Sequence, residues 1–466
     1  MSQIDLFRIL AALALLLAAA HLTGRLFARF RQPPVIGEIL GGLLLGPTVL
    51  GQLLPEAQHW LFPGKGPAAS GLALVSQLGM LLLMFTAGME MRTVFSRKDG
   101  RSVAVIALAG MAVPFVLGLL MVKVIDTGDV LGPAGSVPAL TLVIACAIAV
   151  TSIPVISRIM LDLGIIRTRF ARIVLSVAVL EDIVLNVILS VALGMVAGGK
   201  EGGFGLAHTL GVTSANGAAA YHSVASVAFF ALMVLAAAAL RRRPGAATGA
   251  AAADRPAARV ALRMAVILAV SASCVFLGVA PMFGAFVVGL LSGMTGKDPR
   301  SGSLGNLRGF ASGFFIPLYF GLVGFKLDLV HSLDLGFTVG FILVACAAKA
   351  ASVYAGARLA KRPKPESLDL AVALNARGGP GIVLATVSFD AGIVNASLFT
   401  TLVLTAIVTS QIAGWWLERA VARGAFSRDG DGDGDSDGDA GADAGNQDRQ
   451  PDPLTQPAPP VTAATG

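Results

Sequence analysis

The sequence predicts an all-α polytopic membrane protein of about thirteen transmembrane helices. Three observations carry this. Of its 466 residues 55% are hydrophobic and 14% charged, where soluble domains carry roughly 25% charged residues, and mean hydropathy is +0.78. Apolar stretches near the ~20-residue length that spans a bilayer recur as far as residue 418. The loops between them are strongly basic on every second crossing and nearly free of Lys and Arg on the others.

The first stretch, residues 4–23, follows no basic n-region and lacks a clear small-residue cleavage site, so it reads as a retained helix. The next candidates lie at 34–54, 70–90, 102–122, 138–160, 172–197 and 222–240. A close pair at 260–276 and 279–295 is separated only by Leu277 and Gly278 and could be one segment. The last four lie at 307–325, 335–357, 367–389 and 397–418.

Basic residues test this count. Arg25, Arg29 and Arg31 precede the second span, and Arg92, Arg97, Lys98 and Arg101 follow the third. Arg158, Arg167, Arg169 and Arg172 follow the fifth, and Arg241–Arg243, Arg255, Arg259 and Arg263 the seventh. The alternation continues through Lys297, Arg300 and Arg308, then Arg358, Lys361, Arg362 and Lys364, then Arg419, Arg423 and Arg428. Only Arg8, Lys65, Lys123, Lys200 and Lys326 fall on the other side. By the positive-inside rule the amino end is outside and the carboxyl end cytoplasmic, as in a multi-pass protein of the plasma membrane. The Arg241–Arg243 run then reads as an orientation signal beside lipid headgroups, not as a nucleic-acid site. Cys146, Cys274 and Cys346 sit in separate apolar runs, which argues for buried thiols over disulfides or a zinc site.

The chain divides into a membrane domain, residues 1–426, and a tail, residues 427–466. The tail is acidic and then Pro-rich. Its Asp–Gly alternation resembles a calcium loop, but the twelfth position from Asp429, Asp431 or Asp433 is Ala440, Ala442 or Ala444 instead of Glu. Disorder on the cytoplasmic side is the expectation.

The second span begins PVIGEILGGLLLG and the ninth PMFGAFVVGLLSG, aligning Pro34, Gly37, Gly42 and Gly46 with Pro281, Gly284, Gly289 and Gly293. The following spans echo each other more weakly, FTAGME at 85–90 against FGLVGFK at 320–326. The second span leaves the cytoplasm and the ninth enters it, so the expectation is two inverted five-helix repeats, about 34–197 and 279–418. In such folds a site lies at mid-membrane where corresponding helices are interrupted. The corresponding helices here carry AVTSIPVIS, with Thr151, Ser152 and Pro154, and NARGGPGIV, with Gly378, Gly379, Pro380 and Gly381. Proline lacks an amide hydrogen and clashes with the preceding turn, so both segments are expected to break. Opened backbone exposes carbonyls able to ligate a cation, and helix ends whose dipoles need countercharges.

Glu181, Asp182, Lys349 and Arg377 lie inside spans, where an unpaired charge costs about 2.5–3.5 kcal/mol on insertion scales. They must pair or line a wet cavity. Adjacent helical residues point about 100° apart. Asp182 shares a polar row with Asn186 and Ser190, whereas Glu181 shares its stripe with Val177 and Leu185. Asp182 is therefore expected to be the exchangeable group, with Glu181 paired to Lys349 and Arg377 a further charge partner.

TSIPVISRIMLDLG, followed after about 25 residues by LEDIVLNVILSVAL, resembles the central motif of cation:proton antiporters of the sodium/hydrogen exchanger superfamily. PPVIGEILGGLLLGP, MLLLMFTAGMEM and FFIPLYFGLVGFKLDL resemble signatures of the branch holding Kef-type bacterial systems and plant cation/proton exchangers, and the resemblance covers residues 5–420. It implies a sodium/proton antiporter-like fold of crossed broken helices moving against a scaffold, assembled as a homodimer in the lipid bilayer. It implies that Asp182 takes either a cation or a proton, with Lys349 as the basic residue of the eleventh helix and Thr151 as the broken-helix threonine. The position before the aspartate is usually Asn, Asp or Gln in the family it resembles and is Glu181 here.

The expected function is exchange of Na+ or K+ for H+ without a cofactor or resident metal. The alternatives are a Kef-type potassium efflux system with a separate regulatory subunit, an exporter of an organic cation or metabolite, and a sensory or scaffolding protein. No catalytic triad, phosphate loop or metal cluster points to an enzyme.

Overall fold

A computed structural model describes residues 2–30, 32–90, 99–166, 168–197, 205–212, 256–295 and 302–426, with scattered positions in 217–235. Those residues fall within one unit, Met1–Ser427. The expected disordered tail lies outside them, as do Arg241–Arg243 and part of the seventh span at 222–240.

The described residues are helical, with one isolated extended pairing between Leu131 and Val394. Among the described residues ten helices are long and apolar enough to cross a membrane, and two shorter apolar ones accompany them. α1 (Gln3–Arg29) starts at a capping box in which Ser2 Oγ accepts from Asp5 N at 3.1 Å and Asp5 accepts from Ser2 N at 3.0 Å. α2 (Pro34–Leu45) is shorter than the expected 34–54. Pro47 disfavours the helical region for the residue before it, and Gly46 is extended. α3 (Pro67–Glu90) and α4 (Gly100–Met121) follow.

The fifth span is two helices, α5 (Val137–Ala149) and α6 (Ile153–Asp162), joined by an extended link at 150–152. α7 (Arg169–Ala197) carries Glu181 and Asp182 without interruption. The doubtful pair is two helices, α8 (Pro256–Leu277) and α9 (Pro281–Thr295). Gly278 between them has φ +71°, a left-handed conformation that glycine adopts freely. α10 (Ile316–Phe325) continues from Gly302–Phe310 through a π-turn at Ala311–Phe315. α11 (Leu335–Leu359) begins at Asp334, whose carboxylate accepts from Phe337 N at 2.9 Å. α12 (Lys364–Ala373) and α13 (Gly378–Asp390) divide the twelfth span, and α14 (Ala396–Ala422) ends the bundle.

The two glycine motifs occupy reciprocal crossings. Gly42 of α2 meets the backbone of Gly321 in α10, and Gly324 meets that of Ile39. Gly289 of α9 meets the backbone of Phe85 in α3, and Gly88 meets that of Phe286. A Cβ at any of the four would overlap the facing carbonyl. Small residues here let backbones touch, the packing that holds helices together where lipid supplies no hydrophobic drive. α4, α5, α7, α11 and α13 meet around the breaks, where Phe341, Ala345, Ala376 and Val150 are buried with Ile144 and Ile148.

Candidate functional site

The two breaks cross and satisfy each other. Leaving a helix strands its last carbonyls and first amides, which cost free energy unless bonded. Thr151 Oγ1 donates to Leu374 O at 2.6 Å, and Ser152 N donates to Ala376 O at 2.6 Å. Ser152 Oγ accepts from Val155 N at 3.4 Å and so caps α6. Asn375 Nδ2 donates to Cys346 O on α11 at 3.1 Å.

The second break lies slightly upstream of the glycines expected to form it. The non-helical residues are 374–377, and Gly378, Gly379, Pro380 and Gly381 make the first turn of α13. Pro154 likewise belongs to the first turn of α6. Amides there have no intrahelical acceptor, so proline costs little and marks the restart, not the gap. Gly378 has φ +27°, and a Cβ on it would strike Val155 and Ser152 Oγ, so the crossing itself requires glycine.

Both buried cations converge on the carboxyl end of α5. Lys349 Nζ donates to Ala149 O at 2.6 Å, to Gly110 O at 2.9 Å and to Glu181 Oε2 at 2.8 Å. An ammonium has three donors, and all are used. Arg377 Nε donates to Ala147 O at 3.0 Å, and its terminal nitrogens reach Ile148 O at 3.0 Å, Ala345 O at 2.8 Å and Asn375 Oδ1 at 2.7 Å. Arg377, expected as a further charge partner, hydrogen-bonds carbonyls, because a helix end carries partial negative charge that a guanidinium can neutralise at several points.

Lys349 and Glu181 are completely buried and Asp182 is 4% exposed. Asp182 makes no ion pair among the described residues, while its neighbour is committed to Lys349. The polar row beneath Asp182 is bonded along the helix: Asn186 Nδ2 donates to the Asp182 carbonyl at 2.8 Å and Ser190 Oγ to the Asn186 carbonyl at 3.0 Å. The structure thus brings Glu181, Lys349, Arg377, Thr151 and Ser152 to one crossing, and leaves Asn186 on the Asp182 main chain. A cavity of about 220 Å³ is lined by Val155 of α6 and Gly379 of α13, by Thr86 and Phe320, and by Arg158 and Arg308.

Gly110 was not singled out in the sequence, since an isolated glycine in an apolar run looks like packing, and Cys346, expected as a buried thiol, is partly exposed. Gly110 is the place where a side chain would push against Glu181 Oε1 and Val353. Glu181 Oε1 and Glu38 Oε2 are buried without a hydrogen-bond partner among the described residues. No cluster of three or more His, Cys, Asp or Glu side chains suited to a metal occurs among them.

The chain is similar to known proteins. The chain is 28% identical over 86% of its length to Cation/H(+) antiporter 20 of Arabidopsis thaliana, matching 47% of that protein. It is 26% identical over 87% of its length to the Na(+)/H(+) antiporter NhaS4 of Synechocystis sp., matching 95% of that protein. It thus spans about half the length of several curated relatives and nearly all of others. The fold matches the sodium proton antiporter MjNhaP1 from Methanocaldococcus jannaschii with a TM-score of 0.56 and 15% identity, over 91% of this chain and 98% of that one. The sequence also matches, across residues 12–423, the family described as "Sodium/hydrogen exchanger, transmembrane", and the chain belongs to that family.

Proposed function

We propose that this protein is a secondary antiporter exchanging a monovalent cation, Na+ or K+, for protons, with Asp182 as the carboxylate that takes one or the other. The observation that carries the reading is the division of labour between adjacent acids. Glu181 is fixed on Lys349 at 2.8 Å, whereas Asp182, one residue on, has no ion-pair partner among the described residues. A carboxylate at 4% exposure persists only with a proton, a cation or water beside it.

Each step then follows from this chain's own groups. A proton on Asp182 neutralises it; a cation arriving at the carboxylate displaces that proton. Lys349 and Arg377 hold the end of α5 throughout, so the crossing stays rigid while occupancy changes. Alternating exposure of the carboxylate to the two sides converts a proton gradient into cation movement. The positive-inside pattern supports a plasma-membrane protein with its amino end outside and its carboxyl end in the cytoplasm. We take the assembly to be a homodimer, as the family resemblance implies, and two inverted repeats at about 34–197 and 279–418 are supported by the reciprocal glycine crossings.

The experiment is transport in proteoliposomes carrying a pH dye, with Na+, K+ and Li+ supplied in turn. Wild-type protein is expected to move protons against Na+ or K+, and Asp182→Asn to abolish that flux. Cation-driven proton flux retained in Asp182→Asn would rule out the assignment.

A further inference from the structure

α14 runs beside the second break and bonds directly to it. Arg377 is the N-cap residue of α13, and its side chain makes no cap hydrogen bond there, being directed onto α5. The entry to α13 is capped from another helix. Arg377 N donates to Thr409 Oγ1 at 3.2 Å, and Gly378 N donates to Ser410 Oγ at 3.2 Å. Each hydroxyl donates its own proton back along α14, Thr409 to Thr405 O at 2.8 Å and Ser410 to Ala406 O at 2.7 Å. A hydroxyl has one donor and two acceptor lone pairs. With the donor spent on α14, the lone pairs are turned toward the break. Both side chains are 2% exposed, so no bulk water substitutes for them.

We infer that Thr409 and Ser410 are positioning residues for the ion site, acting as an N-cap supplied in trans. The inference rests on the antiport reading of that site. The backbone they hold carries Arg377, whose guanidinium covers Ala147 O and Ile148 O at the end of α5. The next carbonyl, Ala149 O, holds Lys349, and Lys349 holds Glu181 beside Asp182. Removing either hydroxyl leaves a buried amide unsatisfied, which the segment 374–378 relieves only by shifting. The shift displaces the guanidinium and so alters the charge field in which Asp182 chooses between proton and cation. Thr405 supplies an internal contrast. It is equally buried on the same helix, but among the described residues its hydroxyl donates only to Thr401 O at 2.7 Å.

The test uses the full-length protein in proteoliposomes and compares apparent KM for the cation, maximal rate and the pH midpoint of exchange. Thr409→Val is expected to raise the KM about tenfold and to move the pH midpoint, the scale of one buried hydrogen bond left unmade. Thr409→Ser, which restores the hydroxyl, is expected to keep the wild-type values, and Thr405→Val to leave KM and midpoint in place. Ser410→Ala, the smaller truncation, carries the same expectation as Thr409→Val and decides the matter should the valine variant not fold. Unmoved KM and midpoint in the folded variants, with any loss of thermal stability shared by Thr405→Val, would overturn the positioning role. Failure of the site reading shows differently, as exchange surviving Asp182→Asn.

Discussion

Lys349 Nζ lies 2.8 Å from Glu181 Oε2, and neither side chain has solvent-accessible surface. Removing one member of a buried pair strands the other charge, at a cost of about 3–5 kcal/mol, whereas replacing both with neutral groups of similar size is often near neutral. Lys349→Met and Glu181→Gln are therefore each expected to lower the melting temperature of the purified protein by many degrees. The double variant is expected to recover much of that loss. Thermal unfolding in detergent measures all three, and a double variant no more stable than the worse single would show that the pair is not the unit of stability.

Asp99 offers a pH dependence outside the membrane spans. Burial alone would raise its pKa, but hydrogen bonds and charge from Arg169, at 2.8 Å, and Arg362, at 3.2 Å, outweigh that and hold the carboxyl below its ordinary value. A carboxyl depressed on folding contributes stability above its unfolded pKa and loses it as pH falls through the folded one. The contribution is thus intact at neutral pH and fades below about pH 4. Asp99→Asn is expected to melt earlier at pH 7 and to differ little from wild type in strong acid. Melting temperatures across pH 3–8 check this, and a constant gap between the two proteins would contradict it.

The glycines divide into two kinds. A Cβ at Gly42 would overlap Gly321 O and one at Gly289 would overlap Phe85 O, whereas one at Gly379 meets no heavy atom within 4 Å. Overpacking of this kind costs about 1–3 kcal/mol, and more where the obstacle is backbone. Gly42→Ala and Gly289→Ala are expected to reduce folded yield sharply, with Gly379→Ala close to wild type. Size-exclusion profiles of the three variants give the comparison, and a monodisperse, fully stable Gly42→Ala would overturn the crossing argument.

Lys326 at the end of α10 reaches Asp390 at the end of α13, at 2.6 Å and about one-third exposed. Exposed pairs contribute only about 0–1 kcal/mol, so Asp390→Asn is expected to leave the melting temperature almost unchanged. The bond nevertheless joins a helix packed on α2 to a broken helix of the site. If those groups move against each other in transport, the pair must open in each cycle. Asp390→Asn is then expected to change the exchange rate, with the charge swap Lys326→Asp, Asp390→Lys returning it toward wild type. Equal rates in all three proteins would remove any role for the pair.

Much of this arrangement was legible because membrane chemistry makes charges and glycines conspicuous. Glu181 and Lys349 stand out of apolar runs, and their stripes on the helix suggested the contact that the structure contains. Pro34 through Gly46 and Pro281 through Gly293 repeat visibly, and they make the reciprocal crossings. Arg377 shows the limit. A charge in a sequence suggests an opposite charge, but the countercharge here is a set of main-chain carbonyls, Ala147, Ile148 and Ala345, that no side chain announces. The gap at 374–377 was placed too late for a related reason: Gly378–Gly381 and Pro380 break a helix in isolation, yet fit its first turn when α14 supplies the cap.

The competition between proton and cation at Asp182 is tested most directly without a gradient, by titrating Na+ or K+ into weakly buffered purified protein and recording proton release. Wild type is expected to release protons as the cation binds, with release fading at low pH, and Asp182→Asn to release none. Undiminished release from Asp182→Asn would contradict the account and move the exchange to another group.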